Sequence, residues 1–126
     1  MLGILLVNQL YTPILFDPDT TCSFVNFIFG RKFVSRPGEV HMQLYETSPI
    51  GTIYHANLIF KDCTVTVGGK NFPINLVQLE IEGWDVILGT DWLAKHKVTL
   101  DCRKELITFS APEGDVMELK ENNLLT

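Results

Sequence analysis

Apolar residues in this chain come in short runs, many alternating with polar residues, and turn residues break the runs at short intervals. A helical bundle needs longer segments with a 3.6-residue period, so this pattern points to sheet. Residues 2–7 and 11–16 read as two strands around a turn at Asn8-Gln9. Val40, Met42 and Leu44 alternate with His41, Gln43 and Tyr45, and strand-like residues resume at 53–60 after a turn at 46–51. Together they predict a long hairpin with a Pro/Gly tip. Cys63, Val65 and Val67 alternate again, and Gly68-Gly69 is a tight-hairpin signal leading into 72–79. Trp84 to Leu88 is a buried-strand run ended by Gly89. Residues 91–96 predict one or two turns of helix, and 97–100 and 105–109 a last pair of strands. Sheets with one apolar face must pack on one another or close into a barrel, so the expected fold is one all-β domain, residues 1–126, with either arrangement open at this point. Its core is expected over about 4–112, with a loose polar tail at 113–126.

One segment admits two readings. Ser23 to Gly30 reads as a short helix capped by Ser23 and ended by Gly30, or as a strand, given its aromatic and β-branched content. Asp91 is expected to cap the helix that follows Gly89. Trp84 and Trp92 read as core residues, and Cys22 as a small packed side chain.

Composition narrows the function classes. Net charge is −5 with no basic stripe, which disfavours binding to nucleic-acid phosphates. The apolar start at 1–7 has no basic flank and stops at Asn8, too short for a signal peptide or a membrane span. Three cysteines, Cys22, Cys63 and Cys102, are far apart and odd in number. They fit reduced thiols in an intracellular, cytoplasmic compartment. His41, His55 and His96 have no metal-ligand spacing, so neither a metal nor a cofactor is expected.

One carboxylate stands out. The apolar strand Ile14-Leu15-Phe16 delivers Asp17 into a turn, Pro18-Asp19-Thr20-Thr21. A carboxylate at the end of a buried strand is costly to desolvate and needs hydrogen bonds or a use. Residues 14–24 resemble the catalytic stretch of retropepsin-like aspartic proteases, an apolar strand followed by Asp-Ser/Thr-Gly-Ala and a small-residue segment leading to Ser-Phe. Residues 84–102 resemble the second signature of the Ty3/gypsy retroelement members, an apolar-apolar-Gly turn, Asp-Trp-Leu and an Asp-Cys strand end.

The resemblance implies a closed β-barrel with a flap hairpin and one short helix, working as a homodimer. Asp17 of each subunit would activate water for peptide-bond hydrolysis. Thr47, Ser48, Pro49, Ile50 and Gly51 would form the flap over an extended peptide or polyprotein substrate. Ile87, Leu88 and Gly89 would form the structural turn beneath the catalytic loop. It also implies a retrotransposon polyprotein, consistent with a chain that opens inside a strand pattern and closes in a polar tail.

The catalytic loop departs from the family pattern at three positions. Pro18 replaces a Ser or Thr whose hydroxyl and N–H tie the two loops across the dimer. Asp19 replaces Gly, placing a side chain where none is needed, at a backbone angle expected to suit glycine. Thr20 replaces Ala, a milder change. These changes predict lost hydrolysis and leave an alternative, an inactive dimerisation or peptide-binding module. A remoter alternative is a haloacid-dehalogenase-type phosphatase using Asp17 as nucleophile and Asp19 as acid/base. That fold needs alternating strands and helices and a later acidic pair, which this chain lacks. A calcium loop fails as well, because its sixth position would be Cys22 and its twelfth Ile28.

Overall fold

The computed structural model describes residues 1–33, 38–47, 53–79, 83–111 and 113–123, with backbone only for 38–47 and 53–57. Strand β1 (Leu2–Val7) turns back into β2 (Leu10–Phe16) through Asn8 and Gln9, both at positive φ (48° and 66°). Both central residues of a type I′ turn have positive φ, which matches the twist of the strands it joins. The chain continues through β3 (Phe24–Asn26), α1 (Phe27–Gly30), β4 (Gly38–Thr47), β5 (Ile53–Val67) and β6 (Lys70–Leu79). It ends with β7 (Val86–Leu88), α2 (Thr90–Lys95), β8 (Thr99–Asp101), β9 (Leu106–Ser110) and β10 (Val116–Lys120).

The main sheet runs β1-β2-β7-β3-β6-β5-β4, and β1 also pairs with β5 through Leu6↔Thr66 and Val7↔Val65. This second pairing closes β1, β2, β7, β3, β6 and β5 into a barrel and removes their free edges. Strand β4 lies outside the ring and extends β5 as a hairpin. Strand β5 joins the strand-like run at 53–60 to the alternating stretch Cys63, Val65 and Val67 in one strand. It stays continuous through a register shift between Phe60 and Cys63, where Asp62 takes φ 56° and its N–H donates to Asn75 Oδ1 (3.0 Å).

The period-2 alternation becomes a core. Leu5, Val7, Ile14, Phe16, Val65, Val67, Phe72, Leu76, Trp92, Ile107 and Phe109 are buried in one cluster. Burying each such side chain contributes about 1.5–3 kcal/mol. Phe24, Val77, Leu79 and Ile87 form a second cluster, with Cys22 and Trp84 packed at its edge. Trp92 is therefore core as expected, while Trp84 is only half-buried.

Three local expectations are corrected. Residues 24–30 are both strand and helix, and the cap of α1 is Asn26, whose side chain accepts from Ile28 N–H (2.8 Å), not Ser23. Helix α2 starts after Gly89, which offers no side-chain cap, and Asp91 lies inside the first turn; its Oδ1 still accepts Trp92 N–H (2.7 Å), so the bond expected of it is made from within the helix rather than from the cap position. The tail expected to be loose contains β10, which pairs along β9 and buries Leu119 in the main core cluster, close beside Gly3. Strands β10, β9 and β8 form a separate three-stranded sheet.

Candidate active site

The placement of Asp17 follows from the order of strands. Strand β7 lies between β2, which it pairs with in parallel, and β3, which it meets antiparallel. The loop joining β2 to β3 must therefore arch over the end of β7, and Asp17 opens that loop. Asp17 N–H donates to Leu88 O (2.9 Å), which continues the β2–β7 ladder up to the carboxylate.

Asp17 is 8% exposed, and one of its oxygens has a fixed partner. Asp19 N–H donates to Asp17 Oδ1 (2.9 Å). Thr20 hydroxyl and N–H both point back to Asp17 O (3.2 and 3.4 Å). The turn thus folds onto its own first residue, as Asp and Thr side chains favour in turns. Asp19 is not among the residues at positive φ, so the backbone angle expected to require glycine is not used. Pro18 and Asp19 are exposed, whereas Thr20 is 3% exposed.

Gly89 lies under this loop at close range. A Cβ there would meet Cys22 O at 2.2 Å, Thr20 O at 2.8 Å and Cys22 C at 2.9 Å. Its φ of −96° suits any residue, so the requirement for glycine is space. The loop is then laced to the start of α2. Thr90 N–H and hydroxyl donate to Thr20 O (2.9 and 3.2 Å), and Asp91 N–H donates to Thr21 O (3.2 Å).

Ser23 and Asp91 complete the lacing. Ser23 hydroxyl donates to Asp91 Oδ1 (2.6 Å), Ser23 N–H donates to Asp91 Oδ2 (3.2 Å), and Gly89 N–H donates to Ser23 Oγ (3.0 Å). The sequence reading of both residues as local caps missed this, because the partners are far apart in the chain. The spacing from an Asp at a strand end to a following Ser, and from Gly to Asp after a second apolar strand, is the signal that could have found it.

The structure thus brings Asp17, Pro18, Asp19 and Thr20 together with Ile87, Leu88 and Gly89. Of the expected flap, Thr47 ends β4 and pairs with Ile53, whereas Ser48, Pro49, Ile50 and Gly51 lie outside the described residues. Among the described residues no group of three or more His, Cys, Asp or Glu is arranged to hold a metal. Among the described residues no helix is long and apolar enough to cross a membrane.

A closed six-strand barrel with a carboxylate loop arched over an inserted strand defines the retropepsin-like class of domain. The chain belongs to the retroviral aspartyl protease family, whose model matches residues 1–115. Among solved structures it is similar to the retroviral protease-like domain of Ddi1 from Leishmania major, with a TM-score of 0.65 at 19% identity over 97% of this chain and 95% of that one. It is also similar to EIAV protease, solved in complex with the inhibitor HBY-793, with a TM-score of 0.61 at 18% identity over 80% of this chain and 91% of that one. At these identities the likeness is one of fold. No curated protein matches the chain.

Proposed function

We propose that the domain is a retropepsin-type aspartic endopeptidase that works as a homodimer, with its turnover cut sharply by Pro18 and Asp19. The observation that carries this is the Asp17 carboxylate, buried at the end of β2 with Asp19 N–H on one oxygen. One chain supplies one such loop, so the second carboxylate comes from a second copy on a two-fold axis. Two close carboxylates share a proton, because both cannot ionise cheaply. One then takes a proton from water while the other protonates the scissile amide. An extended peptide binds between this pair and the β4–β5 hairpin, backbone to backbone, and hairpin closure excludes water.

Asp19 N–H holds one oxygen of Asp17, so the carboxylate remains oriented. What Pro18 removes is a hydroxyl and an N–H, the groups able to tie the two loops across the axis. The dyad is then less firmly held, and small misplacements of reacting groups cost on the order of a hundredfold in rate. The polypeptide context we propose is a Ty3/gypsy-type retrotransposon polyprotein in a reducing intracellular compartment, where the domain frees neighbouring segments.

The test is cleavage of a peptide library at acid and neutral pH. The wild-type chain is expected to cleave at or below detection. The Pro18→Ser/Asp19→Gly variant should cleave at least about a hundredfold faster, in a pepstatin-sensitive way abolished by Asp17→Asn. Dimeric wild type and dimeric variant that are both inert would overturn the enzyme reading in favour of a peptide-binding module. Equal and efficient cleavage by both would overturn the role given to Pro18 and Asp19.

A further inference from the structure

We propose that Asp19 and Lys97 form an ion pair between two copies of this chain, seated at a groove beside the Asp17 loop. The inference rests on the homodimer reading above and names the surface through which it is made.

The groove has a volume of about 460 Å³ and is lined by Pro18, Leu93, Ala94, Lys97, Val98 and Leu100 among others. Its floor is apolar. Leu93 is buried, Val98 and Leu100 are half-buried against the core, and Ala94 is exposed. Along one side runs β8, which pairs with β9 and, among the described residues, with no strand on its other edge. An unpaired edge beside half-buried apolar side chains is a surface that a second chain completes.

Geometry identifies that chain as a second copy. Consecutive Cα atoms are about 3.8 Å apart, so a two-fold axis that brings two Asp17 carboxylates together runs close to Pro18 as well. Pro18 is a wall of the groove, and the groove therefore opens on the seam. Charge then sets the register. Asp19 follows Pro18 and is exposed, and Lys97 sits exposed in the groove. Among the described residues neither has an ion-pair partner within its own chain, where both ion pairs involve Lys70. An isologous contact repeats each pair, so Asp19 of each copy meets Lys97 of the other. The pairing also draws the Asp19 carboxylates towards cations and away from the shared proton of the dyad.

The test is sedimentation velocity of the full chain over a dilution series at low salt, with circular dichroism to verify folding. Wild type is expected to dimerise. Asp19→Lys and Lys97→Asp should each weaken the dimer about tenfold or more, since each replaces attraction by like-charge contact twice over. Lys97 has φ 51°, a conformation Asp tolerates, so its backbone accepts the change. The Asp19→Lys/Lys97→Asp double variant should recover to within about threefold of wild type. Ala94→Glu, at an exposed groove position, should weaken the dimer, whereas Lys95→Glu, on the same helix but outside the groove, should not. A folded wild type that dimerises while the single charge changes leave it intact, or a double variant that fails to recover, overturns this inference and leaves the homodimer reading standing. A wild type that stays monomeric at high concentration overturns the homodimer reading itself.

Discussion

Replacing Gly89 with Ala tests how tightly the Asp17 loop is seated on α2. The added methyl would lie 2.2 Å from Cys22 O, 2.8 Å from Thr20 O and 2.9 Å from Cys22 C, all backbone atoms. No rotamer change relieves such contacts, so either the loop or the start of α2 must move. Overpacking of this kind costs about 1–3 kcal/mol. The movement also stretches the bonds that lace the two segments, Gly89 N–H to Ser23 Oγ (3.0 Å) and Thr90 N–H to Thr20 O (2.9 Å). Weakening them adds about 0.5–1.5 kcal/mol each. Against this, Ala restricts the unfolded chain at a φ of −96° it accepts easily, which returns about 0.4–1 kcal/mol. The balance is a loss of roughly 3 kcal/mol, or on the order of 10–15 °C in Tm for a chain of this size. Urea unfolding followed by fluorescence of Trp84 and Trp92 measures it. A Gly89→Ala chain within about 0.5 kcal/mol of wild type would refute the close seating, because surface-like tolerance is incompatible with three backbone contacts under 3 Å.

Other outcomes follow from the same geometry. Ser23→Ala removes a fully buried hydroxyl that bridges Asp91 and Gly89, and should destabilise the fold by about 1–3 kcal/mol in urea unfolding. Ser23→Thr, which keeps the hydroxyl, should lose less. His96 has its pKa lowered from the ordinary value of 6.5, first by burial and then by Lys95. The unfolded chain therefore binds the proton more readily, and this part of the stability is present above pH 6.5 and lost as pH falls through the folded value. The Tm of wild type should drop more steeply from pH 7 to 5 than that of His96→Gln, and parallel curves would contradict the assignment. Leu119→Ala should cost about 2–5 kcal/mol, since Leu119 is 2% exposed, and a silent substitution would mean that β10 does not dock in solution.

Much of the barrel is legible in the sequence, and the reason is local. The turn at Asn8-Gln9, the hairpin at Gly68-Gly69 and the stop at Gly89 are chemical signals carried by one or two residues. The alternation along Cys63, Val65 and Val67 reports directly which face is buried. The Asp17 loop was equally legible as a strand end with a carboxylate, and the family signature around Gly89 placed it.

What sequence missed depends on residues distant in the chain. In β10, Met117 and Leu119 do alternate with charged residues, but what buries Leu119 is the absence of a side chain at Gly3. Nothing near residue 119 announces that. Ser23 and Asp91 look like caps locally, and their actual bond spans the loop and the helix. The expected glycine-like angle at Asp19 failed for a related reason. The turn uses an ordinary backbone conformation there and needs only the Asp19 N–H, which any residue except proline supplies.

The central claim is that two Asp17 carboxylates meet across a two-fold axis, and the separation between them in a crystal structure of the assembled dimer tests it most directly. The nearest carboxyl oxygens are expected within hydrogen-bonding reach, about 2.5–3.0 Å apart, with Pro18 at the seam. A dimer formed through another face, leaving the two Asp17 side chains well apart and open to solvent, would contradict it.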